Sequence, residues 1–211
     1  ELADIANLLS NPECRLLTLV GPGGTGKTRL AIQAASQMEA SFESGIYFIS
    51  LAPLETIDAI IPAIARAVQF SFRTLSNDPR PPEDALAQLV CYLRQKHLLL
   101  VLDNWEHLVA GSNLASSLLS EVAGIKILAT SRERLNLKEE WVYDVRGLAY
   151  PASGLSQHLD HYSAIQLFIQ TAQRQRSGYQ PDSSEIQCIA EICRAVQGMP
   201  LAIELAASWI R

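Results

Sequence analysis

One run of eight residues constrains this chain more than any other: Gly21-Pro22-Gly23-Gly24-Thr25-Gly26-Lys27-Thr28, which meets the spacing G-x-x-x-x-G-K-[ST] at Gly21, Gly26, Lys27 and Thr28. Glycines let the backbone take positive φ and turn successive N–H groups toward an anion. A helix starting at Lys27 would aim the positive end of its dipole at the same point. Lys27 can neutralise terminal phosphates, and the Thr28 hydroxyl can hold a divalent cation. The competing reading, a chance glycine-rich turn, does not require a buried strand before the loop and a helix after it. Both are present here, as Leu16-Leu17-Thr18-Leu19-Val20 and as the Ala-, Gln- and Leu-rich segment from Lys27 to Met38. The expected ligand is a purine nucleoside di- or triphosphate, ATP or ADP with Mg²⁺, on Gly21 to Thr28 and the adjoining Arg29.

The rest of the chain alternates strand and helix patterns. Apolar residues at helical spacing mark Glu1 to Leu9, ended by Asn11-Pro12. Short apolar runs mark strands at Ile46–Ile49, Leu98–Leu102, Ile125–Thr130 and, more weakly, Trp141–Val145. Helix patterns lie between them at Thr56–Val68, where Pro62 is expected to kink the helix, at Glu83–Arg94, and over Trp105–Val122 with a break near Gly111. Residues 71–82 carry Pro79, Pro81 and Pro82 and read as a loop. After Pro151 the pattern is helical throughout, at Tyr162–Arg174, Ser184–Val196 and Leu201–Ile210. The expectation is an α/β domain over 1–150, a five-stranded parallel sheet with helices on both faces, and a small helical domain over 151–211, with the boundary near 148–158.

Composition narrows the partners. The 211 residues are 48% hydrophobic and 18% charged, a globular balance, and the formal net charge is -5. An acidic chain has no electrostatic reason to bind nucleic acid directly. No signal peptide opens the chain and no uncharged run approaches membrane-spanning length, so no membrane partner and a cytoplasmic location are expected. Cys14, Cys91, Cys188 and Cys193 form no CxxC pair, and no His stands at ligand spacing from them; they read as reduced, buried thiols. The chain starts and stops inside helix patterns, which reads as a fragment of a longer protein.

Two further strand ends carry chemistry. Leu98 to Leu102 runs into Asp103, placed to serve Mg²⁺ with Thr28, or simply to cap the next helix. Many ATPases of this layout carry Glu directly after that Asp. Here Asn104 stands there, able to orient water but not to take its proton, so slow hydrolysis is expected. The nearest acid is Glu106, either a catalytic base or a solvent-facing residue on the next turn. The fourth strand ends in Thr130-Ser131-Arg132. If it lies between the first and third strands, those three side chains arrive beside the γ-phosphate and Arg132 can read the nucleotide state, whereas Arg134 could pair with Glu133 or Glu139. In the tail, the Gly198 and Pro200 of Gly198-Met199-Pro200-Leu201 read as ordinary helix capping.

Taken together, Gly21 to Thr28, Leu98 to His107, Ile127 to Leu135 and Gly198 to Ala207 resemble the NB-ARC/STAND class of P-loop signalling ATPases, most closely its bacterial branch in transcriptional regulators and multidomain sensors. The resemblance covers nearly the whole chain. It implies a P-loop domain in which the sensor strand is flanked by the phosphate-loop strand and the acid strand. It also implies a sensor arginine at Arg132, and a helical lid that brings Pro200 near the adenine. Members hold ADP at rest and exchange it for ATP to open and assemble, which implies an ATP-dependent homo-oligomer and contacts with other domains of a parent protein. The Gly-Arg-Glu stretch before the first helix and the winged-helix domain after the lid are not in this sequence. The functional expectation is an ATP/ADP-binding switch with slow Mg-dependent hydrolysis. The alternatives are a scaffold with permanently bound ADP and a phosphotransferase using the same loop.

Overall fold

Five apolar runs form five strands: β1 (Leu16–Val20), β2 (Ile46–Ser50), β3 (Leu98–Asp103), β4 (Ile125–Ser131) and β5 (Glu140–Asp144). The computed structural model describes residues 1–73, 82, 84–108, 111–152 and 159–210. Every strand pairing is parallel, in the order β2-β3-β4-β1-β5. Burial tracks that order. Every residue of the inner strand β3 is buried, and β4 is buried apart from a half-buried Lys126, whereas the edge strands β2 and β5 are partly exposed. A parallel strand covered on both faces has no polar side to show, which is why the inner strands read as unbroken apolar runs.

The chain divides into two compact units, Glu1–Gly21 with Lys27–Asp144, and Pro22–Gly26 with Val145–Arg211. In the first, one sheet face carries Leu98, Leu100 and Leu102 of β3 and Ile125, Ile127 and Ala129 of β4. These share a core with α3 (Ile60–Ala67), α4 (Ala85–Leu93) and α5 (Asn113–Glu121), through Ile64, Leu89 and Leu118. Each of the leucines and isoleucines contributes about 1.5–3 kcal/mol by leaving water. Side chains alternate along a strand, so Leu99, Val101 and Asp103, with Leu128 and Thr130, face the other way. There α2 (Lys27–Gln37) packs on β1, β3 and β4 and buries Ala31, Ala34 and Ala35. Small residues on that face let the helix, and with it Thr28, approach the strand ends closely.

Two cations pin the opposite ends of the strands. Lys126 Nζ donates to the carbonyls of Leu9 and Asn11, each at 2.6 Å, closing the end of α1 (Leu2–Ser10). The Arg15 guanidinium donates to the carbonyls of Leu119, Val122 and Ile125, tying the end of α5 to the start of β4.

The second unit holds α6 (Ser163–Gln175), α7 (Ser183–Ala195) and α8 (Pro200–Ala207) around Ile165, Phe168, Ile189, Cys193 and Ile203. Asp182 caps α7: its carboxylate accepts from the N–H groups of Ser184 and Glu185, and Glu185 reaches back to the Asp182 N–H. Between α7 and α8 the backbone turns left-handed at Gln197 and Gly198, φ 52° and 69°. The Gly198 carbonyl accepts from Leu148 N–H at 2.7 Å, and a Cβ on Gly198 would collide with the Leu148 carbonyl oxygen. That glycine is required by a close backbone approach as well as by helix capping.

Several expectations change. Pro62 does not kink a helix: it sits in the first turn of α3, after a short 3-10 turn at Ile57–Ala59, where the missing N–H has no helical acceptor to lose. The helix pattern from Trp105 resolves into a 3-10 turn at Trp105–His107 and then α5. Cys14 and Cys193 are buried, with burial pushing each thiol up to about 11, but Cys91 and Cys188 are exposed. The α7 and α4 stripes turn other residues inward. Arg134 forms no ion pair with Glu133 or Glu139 among the described residues; Glu139 instead accepts from Ser116. Most of the expected 71–82 loop, Glu83, residues 109–110, the 153–158 part of the expected boundary and Arg211 lie outside the described residues. Among the described residues no helix is long and apolar enough to cross a membrane.

Candidate functional site

The phosphate loop leaves β1 at Val20 and is anchored where it starts, by Gly21 N–H donating to the Ser131 carbonyl at 3.3 Å. Gly24 and Gly26 take φ of 83° and 92°, conformations that side-chain-bearing residues rarely adopt. At Gly26 a Cβ would meet nothing within 4 Å, so backbone conformation, not space, requires glycine there. Within the loop, Thr25 Oγ1 donates to the Pro22 carbonyl at 2.9 Å. Within the second unit, Leu201 N–H donates to the Gly24 carbonyl at 3.2 Å, and a Cβ on Gly24 would come 2.9 Å from Leu201 Cβ. Pro200, the residue before Leu201, is the first residue of α8 and half-buried. Pro22, Gly23 and Arg29 are exposed.

Lys27 is buried, and its Nζ donates to the Gly21 carbonyl at 2.7 Å. Burial pushes its ammonium below the usual lysine range; Arg132 adds to that, while Glu106 and Asp103 oppose it. A partly desolvated cation at the mouth of a helix is one that gains from an incoming anion.

Asp103 is the meeting point of three segments. Its Oδ1 accepts from Thr28 Oγ1 at 2.6 Å and from Thr130 Oγ1 at 2.7 Å. Asn104 comes next, in the left-handed region at φ 67° and ψ 53°, and its N–H donates to Thr130 Oγ1 at 3.0 Å. Asparagine is among the few residues that tolerate this conformation, which supplies a backbone reason for Asn at that position. The turn then brings Glu106 Oε1 to 3.0 Å from Arg132 Nε. Glu106 Oε2 is buried and has no hydrogen-bond partner among the described residues, a condition that native structures rarely leave without a reason.

Thus β4 does lie between β1 and β3, and Thr28, Asp103, Glu106, Lys27 and Arg132 gather at the carboxyl ends of these strands. The sequence places Thr130 at this strand end but gives no sign of its bonds to Asp103 and to Asn104 N–H, which depend on how β4 sits against β3. Oxygen donors suit Mg²⁺, which keeps several waters and takes one or two carboxylates with substrate phosphates. The Thr28 hydroxyl beside the Asp103 carboxylate fits that need. No cluster of three or more His, Cys, Asp or Glu side chains able to hold a metal by themselves occurs among the described residues.

A parallel sheet in this order, with a glycine-rich loop between the inner strand β1 and a helix, defines a P-loop NTPase fold. Comparison with known proteins agrees. The NB-ARC domain model matches residues 1–139, and the chain belongs to that family, whose members are nucleotide-binding modules. A Mycobacterium tuberculosis protein named, provisionally, as an HTH-type transcriptional regulator is 35% identical over 198 residues, 93% of this chain and 20% of its own length. An uncharacterized protein of the same species is 35% identical over 209 residues, 99% of this chain and 48% of its own. The chain therefore spans about a fifth to about half of these relatives. Among solved structures, Cdc6p from Pyrobaculum aerophilum matches with a TM-score of 0.61 at 22% identity, over 98% of this chain and 60% of that one. A STAND protein with a tetratricopeptide repeat sensor from Pyrococcus horikoshii matches with a TM-score of 0.53 at 16% identity, over 96% and 28%. At such identities the likeness to both structures is one of fold.

Proposed function

We propose that this chain is an ATP/ADP-controlled switch module with slow Mg-dependent hydrolysis, acting within a larger regulatory protein. The observation that carries the reading is the convergence of Thr28 and Thr130 on Asp103 at 2.6 and 2.7 Å, beside Lys27 and the Glu106–Arg132 pair. Gly21 to Thr28 would hold the phosphates, with Arg29 adjoining. Thr28 and Asp103 would hold Mg²⁺, which when bound neutralises phosphate charge. Arg132 would exchange Glu106 for the γ-phosphate, a more highly charged partner. Glu106, released, can accept a proton from water; its buried, unpartnered Oε2 supports that role. Asn104 cannot take a proton, which favours slow turnover. Pro200 would lie near the base, a reading supported by the Leu201–Gly24 hydrogen bond beside it. Control of transcription, a cytoplasmic site of action and ATP-dependent self-association belong to the same proposal.

The test is to identify the nucleotide that co-purifies with the chain by mass spectrometry, then to measure ATP and ADP binding and turnover. Bound ADP, exchange for ATP, and turnover far below the ~10 s⁻¹ median of enzymes support the switch. Fast sustained hydrolysis, or transfer of the γ-phosphate to an added acceptor, would sink it. ADP that never exchanges would make the nucleotide a structural part of a scaffold.

A further inference from the structure

Thr130 is fully enclosed, at 0% exposure. Its hydroxyl makes two hydrogen bonds of opposite sense. It donates to Asp103 Oδ1 at 2.7 Å and accepts from Asn104 N–H at 3.0 Å. The first bond fixes the rotation of a carboxylate. The second satisfies a backbone donor exposed where the chain turns left-handed off β3. Because Thr28 donates to the same Oδ1, at 2.6 Å, two hydroxyls from two different elements hold one carboxylate oxygen from two sides. A carboxylate held in this way presents its second oxygen in a set direction without reorganising when a cation arrives. Val would fill the same space at residue 130 but make neither bond, so packing alone does not select Thr.

We propose that Thr130 is a positioning residue: through its two bonds it holds the Asp103 carboxylate in the orientation that makes nucleotide binding respond to Mg²⁺. It touches neither ligand itself. This deepens the proposed function and rests on the phosphate-loop reading.

The experiment uses the full chain and its Thr130→Val and Thr130→Ser variants, with folding checked by circular dichroism. ADP dissociation constants are measured calorimetrically in EDTA and in Mg²⁺. Wild type is expected to bind more tightly with Mg²⁺. Thr130→Val is expected to lose most of that enhancement, on the order of tenfold, while its affinity in EDTA stays within about twofold. Thr130→Ser keeps the hydroxyl and is expected to keep the enhancement. A Thr130→Val chain with the wild-type enhancement overturns the proposal. So does loss of the enhancement in Thr130→Ser, which would assign the effect to the methyl group and packing; that arm decides even if the Val variant does not fold. A wild type that binds no ADP in either condition overturns the phosphate-loop reading itself, a result distinct from both.

Discussion

Arg132 Nε lies 3.0 Å from Glu106 Oε1, joining the residue just past β4 to the short turn just past β3. The arginine is mostly exposed and the glutamate mostly buried, 66% against 18% of side-chain surface. Such a half-exposed pair is a weak latch, worth at most about 1 kcal/mol. A nucleotide phosphate can therefore displace it.

If Arg132 reads the γ-phosphate, Arg132→Ala should erase discrimination more than binding. ADP affinity is expected to stay within about twofold and the preference for ATP to fall about tenfold, the size of one charge-assisted bond. Competition titrations of ATP and ADP check this. Equal losses for both nucleotides would place the arginine elsewhere.

Glu106→Gln separates the two roles open to that residue. A general base supplies about 10²–10⁴ in rate, so single-turnover hydrolysis should fall by at least about tenfold with nucleotide affinity retained. Unchanged hydrolysis would leave Glu106 as a tether for Arg132 alone.

Lys27 sits below the ordinary lysine range, chiefly because burial costs its charge. Folding therefore bears a cost for the protonated form, which is relieved as pH rises through the lowered value. Lys27→Met keeps the stem and removes that cost. The expected result is a melting temperature without nucleotide no lower than wild type, with the ADP-induced rise abolished. A full ADP shift in this variant would defeat the loop assignment.

Gly198→Ala is expected to be among the more damaging single changes in the helical unit, at about 2–4 kcal/mol. It adds a Cβ against the Leu148 carbonyl oxygen at a residue with φ 69°. Denaturant unfolding measures the loss; one below about 0.5 kcal/mol would mean the segment around Leu148 yields easily.

The α7 cap should show in acid. The Glu185 N–H, then the Ser184 hydroxyl and N–H, hold the Asp182 carboxyl below its usual 3.8. A depressed value means the contribution is fully present above the unfolded value and is lost as pH falls through the folded one. Asp182→Ala should lower the melting temperature near neutrality by a few degrees and by less at low pH. A constant difference across the acid range would argue against the charged cap.

Much of the fold was legible because its signals are local. The β3 run Leu98 to Leu102 is apolar because both faces are covered, and Lys27 to Met38 is small and helical because it must pack close to strands. Where the reading slipped, a tertiary fact was missing. Pro62 was harmless because the helix begins only at Ile60, and Cys91 and Cys188 turned outward because the α4 and α7 stripes bury other positions.

The sequence by itself determined the phosphate loop, the strand-and-helix alternation and the acid at the end of a buried run, since each depends on residue types at short, fixed spacing. Only the tertiary structure decided which of these meet. The bonds that bring Thr28 and Thr130 to Asp103 span 75 and 27 residues of chain, and sheet order closes them by seating β4 between β3 and β1. Pattern along a chain reports which face of an element is apolar. It does not report which polar atoms from distant elements end within hydrogen-bond reach, and here those distances single out Thr130 and pair Glu106 with Arg132.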